Sequence, residues 1–120
     1  MTNSFILIVE DDERLANIFA VTLGLDGFDT EIAPNGKIAL TRLTVTNPDV
    51  IVLDLHLPYI PGQEILRQIR ATERLAKTPV VVVTADLAAA QDVRDSADLI
   101  LTKPFKPSML RKAVARVMLA

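Results

Sequence analysis

The chain has 120 residues, the length of one ordinary domain, and its 15 acidic and 13 basic residues nearly balance. Half of the residues are hydrophobic, which excludes intrinsic disorder, and the near-neutral charge argues against a general nucleic-acid-binding surface. Cysteine is absent from the sequence, which excludes disulfide bonds, thiolate metal sites and cysteine nucleophiles.

The start of the chain gives no sign of secretion or membrane insertion. Residues 1–4 lack the basic stretch and apolar core of a signal peptide. The longest apolar run, Phe5–Val9, is far too short to span a bilayer. We therefore expect a cytoplasmic location without membrane association.

Five short aliphatic runs follow one another along the chain and predict five strands. Continuous runs of this kind are typical of strands buried on both faces of a parallel sheet. The second run alternates apolar and polar residues, which favours an edge strand. The runs are 5–9, 28–32, 50–53, 80–83 and 99–101.

Segments of helical length separate these runs and predict an alternating α/β fold. Residues 12–25 and 62–76 carry apolar residues at helical spacing, and Ile18 is expected on the buried side of the first segment. Residues 36–45 and 107–119 have the same pattern. Arg67, Arg70 and Arg74 are expected on the solvent-exposed face of their helix. We predict a single domain over residues 1–120 with right-handed crossovers.

Chemically active residues follow four of the five predicted strands. In an open α/β sheet, ligands bind beyond the carboxyl ends of the strands. Carboxylates that meet there repel one another unless a cation lies between them, and hard oxygen ligands suit Mg²⁺. A carboxylate beside such an ion can act as a nucleophile, and a lysine and a hydroxyl can hold phosphoryl oxygens. The candidates are Glu10, Asp11, Asp54, Thr84 and Lys103.

These residues lie in four motifs, and together the motifs resemble a response-regulator receiver domain of two-component signalling. The motifs are 8–12 (IVEDD), 54–58 (DLHLP) with Gly62, 83–85 (VTA) and 102–105 (TKPF). The resemblance covers essentially the whole chain. It implies a flavodoxin-like three-layer (αβα) fold whose five-stranded parallel sheet has the order 2-1-3-4-5.

The resemblance also implies an activity and a role for each candidate residue. Asp54 would accept a phosphoryl group from a histidine kinase or a histidine phosphotransfer protein, and Thr84 and Lys103 would hold the phosphoryl oxygens. Glu10, Asp11, Asp54 and the backbone carbonyl of His56 would bind Mg²⁺, with Mn²⁺ as an alternative. The domain would be mainly a signalling switch, at most catalysing its own phosphorylation and dephosphorylation. The resemblance also implies a cis Lys103–Pro104 bond. We further expect no direct nucleic-acid binding by this domain and compatibility with a homodimer.

Several of these residues have simpler explanations when they are read alone. Asp12 and Glu13 are typical of a helix N-terminus. Lys103 alone fits a surface lysine, and Thr84 alone fits an ordinary β-branched strand residue. His56, the single histidine, and Asp86 are expected near the mouth of the site.

Two departures from the family pattern concern the output face rather than the phosphoryl chemistry. Position 100, where the family usually has an aromatic switch residue, is Ile100. The segment between Thr84 and Lys103 is shorter than is usual in the family, so we predict a shortened, displaced or poorly ordered fourth helix. The departures support an alternative, a phosphorylation-independent interaction module that retains its Mg²⁺ site. This sequence contains no DNA-binding module, so we expect either a stand-alone receiver or part of a longer regulator. The output partner is unknown in both cases.

Overall fold

The five aliphatic runs form one parallel sheet in the computed structural model, which describes residues 3–119. The predicted strand order is confirmed as β2-β1-β3-β4-β5, with the alternating second strand at one edge. Met1, Thr2 and Ala120, which belong to the predicted domain, lie outside the described residues. The strands are β1 (Phe5–Val9), β2 (Asp29–Ala33), β3 (Val50–Asp54), β4 (Val80–Thr84) and β5 (Leu99–Thr102).

Helices occupy the segments between the strands and follow β5, as predicted. Side chains cap three of them: Asp12 accepts from the Leu15 amide, and Asn35 and Asp86 cap the second and fourth helices. Among the helices of residues 3–119, none combines the length and apolar character needed to cross a membrane. They are α1 (Glu13–Gly24), α2 (Gly36–Leu43), α3 (Gly62–Ala71), α4 (Leu87–Asp92) and α5 (Pro107–Leu119).

Alternate residues of the sheet face two separate cores, which explains the unbroken apolar runs of the inner strands β1, β3 and β4. Leu7 and Leu53 pack with residues of α2, α3 and α4 on one face. Ile8 and Val52 pack with residues of α1 and α5 on the other. Because side chains alternate along a strand, a strand covered by helices on both sides must be apolar at every position.

The fourth helix has only six residues, so the prediction of a shortened helix is confirmed. Hydrogen-bonded turns replace a further helical turn, with the amides of Ser96 and Ala97 both donating to the Val93 carbonyl. The chain then enters β5 at Leu99. The segment between β4 and β5 is thus compressed without displacing β5 from the sheet.

Two arginines that the sequence places on a solvated face are bound to neighbouring loops instead. The Arg70 guanidinium donates to backbone carbonyls before β4 and after α4, and to Asp98 at 2.9 Å. Arg74 lies beyond the end of α3 at Ala71, so it is not on the predicted helix face. It is exposed, and its guanidinium donates to carbonyls at and after the end of α2, those of Leu43 and, at 2.8 Å, Thr46. Helical spacing locates a face but does not show which loops fold over it.

The predicted buried side of α1 also needs one correction. Ile18 is 43% exposed, whereas Phe19 and Leu23 are buried as expected. The neighbouring residue Val21 is exposed too. The buried stripe of α1 is therefore narrower than its apolar pattern suggested.

Candidate functional site

The register of the sheet brings the candidate residues to one edge. Val9 lies opposite Leu53, so the residues that follow, Glu10 after β1 and Asp54 at the end of β3, lie side by side. Thr84 pairs with Thr102, which directly precedes Lys103. The carboxyl ends of β1, β3, β4 and β5 thereby supply all of the predicted side chains.

The Lys103 ammonium lies between the two buried carboxylates. Its Nζ is 2.8 Å from Glu10 Oε1 and 3.3 Å from Asp54 Oδ2. Glu10 is 1% exposed and Asp54 is 3% exposed, so solvent contributes little to balancing their charges. Lys103 is therefore the principal protein cation facing this pair.

Burial and charge alter the titration of Glu10 and Lys103. Desolvation, with a smaller effect from Asp54, raises the pKa of Glu10 to about 7, although the hydrogen bond from Lys103 opposes it. Desolvation alone would lower the pKa of Lys103, but the hydrogen bond to Glu10 and the charges of Asp54 and Glu10 raise it overall. The site thus has more buried negative charge than its single lysine can neutralise.

Glu10, Asp11 and Asp54 form a group of carboxylates that fits a divalent metal ion. One oxygen from each lies within 4.8 Å of the others. Asp11 is exposed, whereas the other two are buried, so the group opens to solvent on one side. All of the candidate ligand atoms are hard carboxylate oxygens, which suit Mg²⁺ better than a metal that prefers thiolate or imidazole ligands. The predicted role of the His56 carbonyl stays a prediction.

Hydrogen bonds connect Thr84 and the residues at the rim of the site. Thr84 is fully buried, and its Oγ1 accepts from the Asp86 amide at 3.1 Å. His56 Nε2 and Asp86 Oδ2 lie 3.2 Å apart, and the His56 amide contacts Asp54 Oδ1 at 3.3 Å. The expected position of His56 and Asp86 near the mouth is thus observed, and their contact joins the β3–α3 loop to the cap of α4.

Gly62 allows the backbone after Asp54 to turn tightly into α3. A Cβ at Gly62 would lie 2.3 Å from the Asp54 carbonyl oxygen and 2.6 Å from Leu55 Cα. The Gly62 amide donates to the Leu55 carbonyl at 2.9 Å. Space, rather than unusual backbone dihedrals, therefore requires glycine at this position.

Comparison with protein families identifies the chain. Residues 6–115 match the family model described as the response regulator receiver domain. The chain belongs to this family. This receiver domain is 38% identical over 115 residues to the DNA-binding response regulator MtrA of Mycobacterium tuberculosis, covering 93% of the chain and 48% of MtrA. The chain spans less than half the length of the first curated relatives it matches.

Solved structures of receiver proteins share the fold of this receiver domain. The chemotaxis response regulator CheY4 of Vibrio cholerae has a TM-score of 0.90 and 28% identity, over 97% of this chain and 99% of CheY4. The receiver domain of the sensor histidine kinase PA1611 from Pseudomonas aeruginosa has a TM-score of 0.91 and 25% identity, over 99% and 100%. That structure has a magnesium ion coordinated in its active site cleft.

Two further features of the receiver domain lie around β5. The Lys103–Pro104 bond is cis, as the resemblance implied. Ile100 is partly buried and packs against the core on the α2–α4 side. Because Ile100 has neither a hydroxyl group nor an aromatic ring, it cannot move such a group between a buried and an exposed rotamer.

Sequence reasoning missed one feature of the β3–α3 loop. Tyr59 has a φ of 72° and is 78% exposed. Nothing in the sequence pattern placed a tyrosine in the left-handed region, where glycine or asparagine is usual.

Proposed function

We propose that this receiver domain accepts a phosphoryl group on Asp54 from a phosphohistidine of a histidine kinase or a phosphotransfer protein. One observation carries the proposal: a recessed aspartate shares its crevice with two further carboxylates and with the Lys103 ammonium. Carboxylates in this setting favour a bound cation, and a cation with a lysine favours an incoming phosphoryl group.

The proposed transfer exchanges one bond to phosphorus for another. A carboxylate oxygen of Asp54 attacks phosphorus while the bond to the imidazole nitrogen of the donor breaks. The imidazole keeps the bonding electron pair and leaves as a neutral ring because its other nitrogen carries a proton. Lys103 would pair with a phosphoryl oxygen, and the Thr84 hydroxyl would donate to another. Hydrolysis would later return Asp54 to its free carboxylate, with water as the acceptor.

The proposed metal site consists of the carboxylates of Glu10, Asp11 and Asp54 with the His56 carbonyl. Bound Mg²⁺, or alternatively Mn²⁺, would supply positive charge against the phosphoryl oxygens. The close approach of the three carboxylates supports this assignment. A magnesium ion in the cleft of the PA1611 receiver domain supports it by analogy.

Phosphorylation would act as a switch on a partner-binding surface. The relevant surface consists of α4, β5 and α5, because the Thr84 and Lys103 ends of β4 and β5 connect it to the site. MtrA is a DNA-binding response regulator, so we propose an output domain or protein downstream of this receiver. A cytoplasmic histidine kinase or phosphotransfer protein would act upstream.

Intact-mass measurement after incubation with phosphoramidate and Mg²⁺ tests the proposal. We expect the chain to gain one phosphoryl group, and we expect Asp54→Asn or chelation of the metal to abolish the gain. Asp49→Asn serves as the matched control, because Asp49 caps the amide of Phe5 away from the site. If the wild-type chain gains no phosphate, or if Asp54→Asn gains it equally, the proposal is wrong.

A second candidate is a phosphorylation-independent interaction module. The six-residue α4 and the aliphatic Ile100 favour it, because both alter the surface that would report phosphorylation. Under this alternative, beryllofluoride with Mg²⁺ would bind at Asp54 without changing amide NMR shifts of α4, β5 and α5. Shifts that spread across these elements would instead support the switch.

A further inference from the structure

Tyr59 is the tip of a rigid turn on the loop that begins at Asp54. The Ile60 amide donates to the Pro58 carbonyl at 2.9 Å, which closes a three-residue γ-turn about Tyr59. The φ of Tyr59 is 72°, a conformation that costs a residue with a Cβ far more than it costs glycine. The loop therefore retains a tyrosine at a position where the local backbone favours a smaller residue.

Anchors on both sides hold this turn in place. Leu57 and Ile60 pack against the core between the sheet and α2, α3 and α4. Ile60 lies so close to the start of α2 that a Cβ on Gly36 would be 2.7 Å from Ile60 Cβ. Pro58 and Pro61 further restrict the backbone. The turn is thus fixed before any partner arrives.

The Tyr59 side chain itself is left free of the protein interior. It is 78% exposed, whereas the four phenylalanines are buried or half-buried. An aromatic side chain on a fixed backbone loses little entropy when a partner covers it, which is why tyrosine is common among the residues that dominate binding energy. Strain and exposure at one residue together indicate a contact surface.

The recessed position of Asp54 determines which partner would cover this loop. Because Asp54 is only 3% exposed, a donor histidine must project into the crevice from a protein surface that rests on its rim. His56 forms part of that rim through its contact with Asp86, and Tyr59 follows it in the same loop. A small phosphodonor would reach Asp54 without such a contact.

We propose that the Tyr59 ring is a specificity-determining contact for the protein that presents the phosphohistidine. This inference rests on the proposed function at Asp54 and adds a binding role for a residue outside the reacting group. Tyr59 would lower the KM for the protein donor without taking part in the transfer of the phosphoryl group.

Phosphotransfer kinetics with two kinds of donor test this role. The protein donor is chosen by profiling each histidine kinase encoded in the same genome, autophosphorylated with labelled ATP, for the fastest transfer to this chain. Phosphoramidate is the small donor. For Tyr59→Ala we expect a rise of about tenfold in KM for the kinase, with kcat and the phosphoramidate rate within about twofold of wild type.

Three further variants separate contact from loop geometry. Tyr59→Gly removes the ring but suits a positive φ, so it should show the same rise in KM, whereas Tyr59→Phe should remain near wild type. Val45→Ala removes another exposed apolar side chain, in the turn after α2, and should have no effect.

The outcomes distinguish this inference from the proposed function. The role of Tyr59 would be overturned if the KM for the kinase were unchanged in Tyr59→Ala or normal in Tyr59→Gly. It would also be overturned if Tyr59→Ala slowed phosphorylation by phosphoramidate equally, or if Tyr59→Phe raised the KM as much as Tyr59→Ala does. Such results would leave phosphorylation of Asp54 intact. Failure of the wild-type chain with every donor would instead overturn the proposed function and this inference with it.

Discussion

Replacing Glu10 with glutamine removes a buried negative charge while keeping the shape of the side chain. The glutamine amide can still accept a hydrogen bond from Lys103 through its oxygen, as Glu10 Oε1 does at 2.8 Å. Glu10 Oε2 also accepts from the Asp12 amide at 3.2 Å. With its oxygen towards Lys103, the glutamine NH₂ group faces the Asp12 amide and cannot accept from it, so the substitution removes this hydrogen bond together with the buried charge.

The pKa of Glu10 determines the size and the sign of the change in folding stability that Glu10→Gln should cause. Burial raises this pKa from 4.5 to about 7, so the folded protein holds the proton more tightly than the unfolded chain. The resulting contribution to stability is fully present below pH 4.5 and is lost as the pH rises to about 7. A shift of this size corresponds to about 3 kcal/mol. Because Lys103 loses a charged partner, we expect Glu10→Gln to add about 2 kcal/mol at pH 8 without metal.

Urea unfolding at pH 5 and pH 8 in the presence of a chelator measures this prediction. The variant should be more stable than wild type at pH 8 and should lose most of that advantage at pH 5. Asp11→Asn is the matched control, because Asp11 is exposed and its replacement removes a charge without relieving burial, so it should stabilise the protein less at pH 8 than Glu10→Gln does. Equal stabilities of wild type and Glu10→Gln at pH 8, or a gain equal at both pH values, would refute the reasoning.

Magnesium should oppose the effect if Glu10 is a ligand. A ligand at about 100 times its dissociation constant stabilises the folded state by about 2.7 kcal/mol. Wild type should gain this stability and Glu10→Gln should gain less. Repeating the pH 8 unfolding with Mg²⁺ should therefore narrow or reverse the difference between them.

Two other substitutions test the close packing of Gly62 beside Asp54 and the hydrogen bonds of Arg70 to the segments around α4 and β4. Gly62→Ala should lower the free energy of unfolding by about 1–3 kcal/mol, because its Cβ would overlap the carbonyl of Asp54, and thermal unfolding measures the loss. Arg70→Gln should cost about 1–3 kcal/mol and speed amide exchange at Val80, since Asp98 Oδ2 both accepts from Arg70 and caps the Val80 amide at 2.8 Å. Unchanged exchange at Val80 would contradict this role of Arg70.

Much of the fold could be predicted from the sequence because its strands are buried on both faces. Unbroken apolar runs such as residues 80–83 identify strands directly, and the alternation in residues 28–32 correctly indicated an edge. Apolar periodicity alone could not order the sheet; the order came from the resemblance to receiver domains. The exact strand ends differ by a residue, since polar Asp54 and Thr84 still pair within the sheet.

The grouping of the site residues was predictable for a different reason. Parallel strands end at one edge, so Glu10, Asp54 and Lys103 had to approach one another once the strands were assigned. Their hydrogen bonds and the raised pKa of Glu10 were not predictable, because they depend on burial and on distances of a few ångströms. The chemical roles of these residues remain predictions.

The features that the sequence did not reveal depend on how loops pack. Arg70 occupies an ordinary helical position, and only the turns before β4 and after α4 give its guanidinium carbonyls to bind. Tyr59 owes its φ of 72° to anchors on either side of the turn rather than to its own preference. Such contacts join segments that local patterns treat separately.

The hydrogen bonds of Lys103 to Glu10 and Asp54 also indicate at which stage of folding the site forms. Lys103 is 93 residues from Glu10 and 49 residues from Asp54 along the chain, so bringing these groups together requires most of the sheet. During synthesis, both carboxylates emerge from the ribosome long before the lysine that pairs with them. A partly made or partly unfolded chain would expose an acidic Asp54 without its cation. The complete group of Glu10, Asp54 and Lys103 would thus form only when folding is nearly complete.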